Sequence, residues 1–420
     1  MWDPYAEFES AVLPNGLTVY AAHWPERPWE AMGFLVHSGA EQDPVGLEGL
    51  AHFVEHMVSK NAILSRKEIS AFFEDCGGWV NTGETGHMCA QYNFFAPAEK
   101  EIIAKAFSIF GHMMLSEKLG RFIERERQVI IGEFHEKYPT RFASFDLEMQ
   151  ERKTLYPGYW LERFPGFVFG TPESVKKITQ NDLQTYYDAN YTPANISVVG
   201  VGRLKLDEIV NLLSESNFGV NKNGQRTELP CCVKKICQPI ENRYVFEYSK
   251  HISMQEPIKA AFYRTAAVIP GDVNTAIGLL KHMLDEILDD EIRQSRAWTY
   301  NIHCSWCNLR HFHEFSINCK ALKLEAVDFI EDIIETCIAS LEGRNDLFEK
   351  IKKRAIASNR LMDQRGIGIC NGALNDLSRF YKIISLAEYE KKLEAVQMSD
   401  IQNLLQWIGP ERRWTLIKKP

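Results

Sequence analysis

Short apolar runs at the start of the chain predict strands before any helix. Leu17–Ala21 and Met32–Val36 are β-type runs, and a Pro14–Gly16 turn signal precedes them. The pattern then changes to a helical one, which predicts helices at Gly46–Ser59 and Arg66–Cys76. The second of these helices stops at a pair of glycines. The chain therefore opens with strands and continues with helices.

The alternation of strands and helices continues through the first half. Trp79–Ala96 returns to a strand-like composition, and helical patterns follow at Ala98–Leu115 and Gly120–Tyr138. After a bend rich in proline and glycine, Gln180–Asn190 predicts a helix and Ile196–Gly200 predicts a strand. The first half thus contains enough elements for one complete domain.

A loss of apolar periodicity divides the chain. Residues 221-240 predict a linker between a first domain at 1-220 and a second at 241-420. Beyond it the order repeats, with strands near Tyr244–Tyr248 and Lys259–Arg264, a helix near Thr275–Arg293, strands near Thr299–Ser305 and Phe312–Lys320, then helices to the end. This order predicts a duplicated α+β unit, with helices packed on an antiparallel or mixed sheet.

The composition fits two soluble, packed domains. The chain has 420 residues, of which 45% are hydrophobic and 25% charged, so disorder and coiled coil are excluded. A formal charge of −8, without a block of Lys or Arg, argues against nucleic acid as a partner. The N-terminus lacks a signal-peptide pattern, and no apolar run approaches the ~20 residues of a membrane span. We therefore expect a cytoplasmic protein with no membrane partner.

Ten cysteines are many for a reducing compartment, but they are scattered along the chain. Cys304 and Cys307 have the spacing of a metal or redox pair, yet a structural zinc site needs a second such pair. We expect ordinary buried or half-buried thiols. A redox or structural-zinc role for this pair is the alternative.

One short motif carries the candidate chemistry. The predicted helix at Gly46–Ser59 contains H-x-x-E-H, with His52 and His56 one turn apart on one face and Glu55 beside them. Two neutral imidazoles suit Zn²⁺, and a carboxylate that is not a ligand can take a proton from the attacking water. The motif is the inverse of H-E-x-x-H and serves the same chemistry. The alternative is a helix whose histidines merely cap or pack.

A hydrolytic zinc site needs a third protein ligand and an open fourth position. Glu133 is the candidate, on a helical stretch that places Glu126 two turns earlier on the same face. One carboxylate can bind the metal while the other orients a histidine. Taken alone, acidic residues on such a helix more often form a solvated face.

These motifs resemble those of the pitrilysin/insulinase family of zinc metallopeptidases, which includes the mitochondrial processing peptidase. In that family the H-x-x-E-H helix is followed, at the spacing found here, by a helix that matches Glu126 to Glu133 with both glutamates in step. Gly170–Glu173, Tyr191–Asn195 and Val198–Gly200 are similar to later landmarks of the family. The resemblance is closest over the first half of the chain.

The resemblance implies a fold, a cofactor and a reaction. The fold is α+β, with two homologous domains that each pack helices on a mostly antiparallel sheet and form half of a clamshell chamber. The cofactor is Zn²⁺, held by His52, His56 and Glu133, while Glu126 orients a ligand. Glu55 is the general base in the hydrolysis of unfolded or extended peptides. A non-catalytic peptide-binding or scaffold subunit of the same fold is the alternative.

The second half contributes a further pair of candidates. Arg293 and Tyr300 resemble the family's Arg and Tyr pair, seven positions apart, which reaches the substrate from the half opposite the zinc. A charged guanidinium and a phenolic hydroxyl could hold a peptide carbonyl and stabilise its oxyanion. Because one chain supplies one half, we expect a homodimer or a heterodimer with a related subunit.

Two segments depart from the family pattern. The family usually has Phe-x-Gly-Thr soon after the zinc helix, where this chain has Val58–Ala62, and its Asn-Ala-x-Thr strand reads Asn81–Glu84 here. In the family an extended peptide pairs with that strand, so Asn81 is a candidate for substrate binding. The metal motif is intact. Substrate identity stays open, as does the choice between general peptide degradation and maturation of one precursor.

Overall fold

The computed structural model describes residues 2–60, 64–116, 119, 122–138, 141–164, 167–220, 224–226, 242–247, 260–309, 312–361 and 365–419. The chain divides into two compact units. The first comprises Met1–Pro139, Phe164–Leu229 and Asp363–Leu386, and the second comprises Thr140–Arg163, Pro230–Met362 and Ala387–Pro420. Each unit includes a segment from the other half of the chain, whereas the sequence predicted contiguous domains. The predicted linker, apart from residues 224–226, lies outside the described residues.

The first unit contains a six-stranded sheet. Its strands are β1 (Phe8–Val12), β2 (Thr18–His23), β3 (Trp29–Val36), β4 (Trp79–Thr85), β5 (Ala90–Pro97) and β6 (Ile196–Gly202). They lie in the order β1-β2-β6-β3-β5-β4, with β2 and β6 parallel and the other neighbours antiparallel. Strand β3 is buried on both faces from Glu30 onward. Strand β4 forms one edge of the sheet.

Helices cover both faces of this sheet. Those on one face are α1 (Leu50–Ser59), α2 (Arg66–Asp75), α3 (Lys100–Met114), α4 (Ile123–Lys137), α6 (Pro172–Lys177), α7 (Gln180–Asn190) and α8 (Leu206–Ser214). Their core centres on aromatic rings, with Phe34 stacked on Phe110 at a centroid distance of 4.8 Å. The other face is covered by α12 (Gly366–Phe380). Both faces of the sheet carry apolar side chains, as expected for a sheet that helices cover on both sides.

The second unit repeats the arrangement with a five-stranded sheet. Its strands are β7 (Asn242–Glu247), β8 (Ala261–Pro270), β9 (Asn301–Asn308), β10 (Phe312–Leu322) and β11 (Arg413–Lys419). They lie in the order β7-β11-β8-β10-β9, with β7 and β11 parallel and the other neighbours antiparallel. This matches β2-β6-β3-β5-β4 in order and direction. The predicted duplication and the α+β fold class are therefore confirmed.

One face of the second sheet carries the larger core. It is formed by α9 (Asn274–Leu288), α10 (Ile330–Ala339), α11 (Asn345–Asn359), α13 (Leu386–Ala395) and α14 (Met398–Leu405). A π-helical turn, Asp289–Ser295, extends α9. The other face is covered by α5 (Arg141–Leu155). Within the described residues, no helix has the length and apolar character that a membrane span requires.

Helix α5 is attached to its sheet by buried charges as well as apolar contacts. The carboxylate of Glu314 on β10 accepts hydrogen bonds from Arg152 at 2.8 Å and from Arg264 at 2.7 Å. Arg264 also pairs with Glu151 at 2.9 Å. Burial would raise the pKa of Glu314, but the two guanidinium groups hold it down to about 2. If α5 moved away from the sheet, these buried charges would lose their partners at a large cost in free energy. The ion pairs therefore fix α5 at this position.

The sequence predicted most elements of both units but missed five, namely β1, α5, α6, α8 and β11. Helix α5 falls between two predicted segments, because its apolar face is weakly marked. The prediction of helices to the end of the chain was wrong at β11. That strand pairs with β7 and β8, so distant partners rather than local sequence determine it.

Glu30 on β3 is a fully buried carboxyl group. Its Oε2 accepts a hydrogen bond from the backbone N–H of Leu204 at 3.0 Å, while Oε1 has no partner among the described residues. Burial raises the pKa of Glu30 from 4.5 to about 8. Between these two values the folded protein binds a proton that the unfolded chain releases. The contribution of Glu30 to the free energy of unfolding is therefore fully present below the unfolded pKa and is lost as the pH rises toward about 8.

We predict that Glu30→Gln removes this loss of stability. The free energy of unfolding, measured by urea denaturation, should be similar for both proteins near pH 5 and higher for the variant, by up to a few kcal/mol, near pH 9. Glu26→Gln, at an exposed position nearby, is the control and should follow the wild type. Parallel pH profiles for Glu30→Gln and the wild type would contradict the assignment.

Candidate metal centre and catalytic base

Helix α1 carries the H-x-x-E-H motif and is fixed at its N-terminus by a buried carboxylate. Asp43 accepts hydrogen bonds from the backbone N–H groups of Gly49, Leu50 and Ala51 at 2.7, 3.1 and 2.8 Å. Such N–H groups have no acceptor within the helix, and a negative charge complements the positive end of the helix dipole. Asp43 therefore determines where α1 begins.

The apolar face of α1 sets the direction of its two histidines. Phe53, Val54 and Met57 are buried in the core of the first unit. His52 and His56 are partly exposed on the remaining surface of the helix, and their ring centroids lie 4.6 Å apart. The two imidazoles thus form the neighbouring pair that the sequence predicted.

Helix α4 brings two carboxylates to these imidazoles. Nε2 of His52 lies 3.0 Å from Oε2 of Glu133, and Nε2 of His56 lies 3.6 Å from Oε1 of the same carboxylate. Nδ1 of His56 lies 3.3 Å from Oε2 of Glu126. Both ε nitrogens therefore converge on Glu133, while Glu126 contacts the other nitrogen of one ring.

The donor set fits Zn²⁺ in composition and in protonation state. Two imidazole nitrogens and one carboxylate oxygen correspond to a catalytic site with a position left for water. The hydrogen bond with His52 lowers the pKa of Glu133. Burial, together with the nearby His52 ring, lowers the pKa of His56. An ionised carboxylate and a neutral imidazole are the forms that bind a metal.

Glu55 is buried behind this donor set. Its Oε2 lies 3.6 Å from Nδ1 of His52 and accepts a hydrogen bond from the hydroxyl of Thr85 at 3.3 Å. Burial raises the pKa of Glu55 to about 7, against the smaller opposing effects of His52 and Thr85. A carboxyl group that titrates near neutrality can both accept and return a proton.

Strand β4 approaches Glu55 so closely that one position on it has no room for a side chain. A Cβ at Gly83 would lie 2.0 Å from Oε1 of Glu55. The pairing of β4 with β5 is irregular between Asn81 and Glu84, and the side chain of Asn81 accepts a hydrogen bond from the Gly83 N–H at 3.2 Å. The irregular segment therefore holds the backbone of Gly83 against the carboxylate.

Arg293 and Tyr300 lie in the second unit and contact each other. The guanidinium carbon of Arg293 is 5.0 Å from the ring centroid of Tyr300, and Nη1 donates a hydrogen bond to Asp289 at 2.9 Å. The side chain of Tyr300 is 82% exposed. The role of this pair in substrate binding stays a prediction.

Part of this site is predictable from the sequence. The structure brings together the predicted residues His52, Glu55, His56, Glu126 and Glu133. Residues that were not predicted also contribute, namely Asp43, Lys60, Gly83 and Thr85. Nζ of Lys60 lies 3.6 Å from Oε1 of Glu126. Asp43 precedes α1 by more than a turn, outside the position where a sequence pattern reveals an N-cap, so no local signal in the sequence marks it.

Cys304 and Cys307 lie on β9, where residues three positions apart face opposite sides of the sheet. Cys304 is buried and Cys307 is exposed. Across the part of the chain that the structure describes, neither thiol belongs to a group of three or more potential metal ligands. Such a group is formed by His52, Glu55 and His56, whose ligand atoms lie within 4.8 Å of one another.

Comparisons with protein families match both halves of the chain. Residues 18–140 match the family model described as "Insulinase (Peptidase family M16)". Residues 177–354 match the model described as "Peptidase M16 inactive domain". Together the two matches cover most of the 420 residues.

Curated relatives point to the same family. The mitochondrial-processing peptidase subunit beta of Blastocladiella emersonii is 30% identical over 216 residues, which are 49% of this chain and 43% of that protein. An uncharacterized zinc protease of Mycobacterium leprae is 23% identical over 342 residues, which are 79% of this chain and 73% of that protein. The match to the first of these relatives thus spans less than half of its length.

Solved structures share the fold over nearly the whole chain. A protease from Helicobacter pylori superposes with a TM-score of 0.80 at 16% identity and covers 100% of both chains. The periplasmic protease PqqL from Escherichia coli has a TM-score of 0.78 at 14% identity, covering 98% of this chain and 47% of that chain. The family matches confirm the resemblance found in the sequence. The chain belongs to the insulinase family, peptidase family M16.

Proposed function

We propose that this protein is a zinc metalloendopeptidase that hydrolyses peptide bonds in unfolded or extended peptides. The observation that carries the proposal is the convergence of both histidine ε nitrogens on Glu133, with the buried carboxyl group of Glu55 beside them. This arrangement combines a three-donor metal site with a proton acceptor that is not one of the donors. Hydrolysis by metal-activated water requires both.

His52, His56 and Glu133 would hold the metal. When bound there, Zn²⁺ supplies a Lewis acid that lowers the pKa of a water molecule and polarises the scissile carbonyl. Glu126 orients the ring of His56 through its contact with Nδ1. Lys60 lies within ion-pair distance of Glu126 and offsets its charge.

Glu55 is the general base. It takes a proton from the attacking water and returns it to the leaving nitrogen, which its pKa of about 7 permits in both directions. The hydroxyl of Thr85 and the backbone of Gly83 hold its carboxylate in place. Proton transfer depends on this position, since a shift of about 1 Å can cost on the order of a hundredfold in rate.

The substrate would lie along β4, whose outer edge pairs with no other strand among the described residues. An extended peptide can add to such an edge by backbone hydrogen bonds, and a folded domain cannot. Asn81 on this strand is the candidate for contact with the peptide. Its neighbour Gly83 lies against Glu55, so a peptide on this edge would pass close to the base.

A second half would complete the site. In this proposal Arg293 and Tyr300 of a partner hold the peptide carbonyl, and the assembly is a homodimer or a heterodimer with a related subunit. A cytoplasmic location is part of the proposal. A non-catalytic subunit of the same family would be expected to lack ligands, whereas this chain retains the donors and the base.

We predict that Glu55→Gln keeps the metal but abolishes catalysis. The variant should hold one zinc per chain, measured by atomic emission, and cut a mixed peptide library on the order of 10²–10⁴-fold more slowly, because it lacks the base. Glu133→Gln should lose zinc as well as activity. Glu74→Gln, at an exposed site on α2, is the control and should match the wild type. A zinc-free wild type, or undiminished cleavage by Glu55→Gln, would contradict the proposal.

We also predict that Gly83→Ala lowers activity without loss of zinc. The added methyl group would meet the Glu55 carboxylate and displace it, so cleavage of the same library should fall about a hundredfold. Zinc content and melting temperature separate this effect from unfolding. Gly278→Ala on α9, where a Cβ meets nothing within 4 Å, is the matched control. Full activity in Gly83→Ala would show that contact with the backbone of Gly83 does not position the Glu55 carboxylate.

A further inference from the structure

A polar cavity of about 270 Å³ lies in the first unit beside strand β4. It is lined by Glu84, Gly86, Cys89, Gln91, Asn93, Asn371 and Asn375. The lining comes from the β4–β5 hairpin and from one side of α12. The cavity is smaller than the ~300–1,000 Å³ of typical small-molecule sites and suits a single side chain.

The cavity lies on the face of the sheet opposite α1. Gln91 and Asn93 alternate along β5 with Tyr92 and Phe94, which belong to the core on the α1 face. Glu84 pairs directly with Gln91 across the hairpin, so both side chains lie on the α12 face. The cavity is therefore separate from the metal donors, although the same strand borders both.

Hydrogen-bond acceptors without partners face this cavity. The carboxylate of Glu84 is exposed, and none of the described residues forms an ion pair or hydrogen bond with it. Asn93 is more than nine-tenths buried, and its Nδ2 donates to Asn371 at 3.3 Å while its Oδ1 has no partner within the described chain. The described residues that line the cavity include no Lys, Arg or His. A ligand that fits must supply hydrogen-bond donors and positive charge.

The position of the cavity indicates where such a ligand comes from. Glu84 lies on β4, whose outer edge pairs with no other strand of the described sheet. A peptide that adds to this edge directs alternate side chains to the two faces of the sheet. One set of side chains would point toward the α1 face, which carries Glu55, and the other toward the α12 face, which carries the cavity.

We propose that this cavity is a specificity subsite that binds an arginine or lysine side chain of a peptide lying along β4. The guanidinium or ammonium group would pair with Glu84 and donate to the amide oxygens beside it. The enzyme then prefers a basic residue at one fixed position relative to the scissile bond. This inference rests on the proposed peptidase function and names its substrate class.

The test uses quenched fluorescent peptides that carry arginine or its neutral analogue citrulline at one position, scanned along the sequence. At one position the wild type should cleave the arginine peptide about tenfold or more faster, as expected for one charge-assisted contact. Glu84→Gln should bring this ratio close to one and leave cleavage of the citrulline peptide unchanged. Glu9→Gln on β1, at the opposite edge of the sheet, is the control and should keep the ratio.

A charge reversal distinguishes specificity from a folding defect. Glu84→Lys should prefer glutamate to glutamine at the same position, a gain that a damaged protein would not show. If the wild type cleaves arginine and citrulline peptides equally at every position, the subsite is overturned and the peptidase function stands.

Failure of catalysis is a separate outcome. If the wild type cuts no peptide, the proposed function fails, and the same peptides are then compared by fluorescence anisotropy for binding to Glu55→Gln. The subsite is supported if Glu55→Gln binds the arginine peptide more tightly than the citrulline peptide, and if the double variant with Glu84→Gln loses this difference. Equal binding of the two peptides to Glu55→Gln overturns it.

Discussion

The contact between helices α1 and α4 determines the chemistry available to the first unit. Two imidazoles from one helix meet one carboxylate from the other, and a second carboxylate contacts the far side of His56. Each helix must therefore be held in position and rotation. Asp43 fixes the start of α1, and the apolar side chains of the same helix fix its orientation against the sheet. The metal donors depend on this packing as much as on the motif itself.

The duplicated topology makes the difference between the two units informative. Helix α9 lies between β8 and β9 as α1 lies between β3 and β4 in the first unit. Its buried positions are filled by apolar residues such as Ile277 and Leu280, and among the described residues of the second unit no group of three metal ligands occurs. One copy of the fold thus carries the candidate donors and the candidate base, and the other presents Arg293 and Tyr300 at its surface. The same scaffold thus carries different side chains at corresponding helices in its two copies.

The sequence predicted what depends on local spacing. The position of His52, Glu55 and His56 on one helix follows from a period of 3.6 residues, and the repeated order of elements predicted the duplication. It could not predict the close approach of Gly83 to Glu55, because that depends on how an irregular strand packs on a helix. The sequence also did not predict strand β11 or the placement of α12 in the first unit, because the partners of both elements are far away in the chain. Tertiary contacts decided these features.

X-ray absorption spectroscopy of the purified, zinc-loaded protein tests the ligand assignment most directly. If His52, His56 and Glu133 hold the metal, the spectrum shows nitrogen and oxygen neighbours at ~2.0–2.2 Å, outer-shell scattering from two imidazoles and no sulfur, and Glu133→Gln holds less zinc. Sulfur at ~2.3 Å would assign the metal to cysteines such as Cys304 and Cys307, and contradict the centre formed by His52, His56 and Glu133.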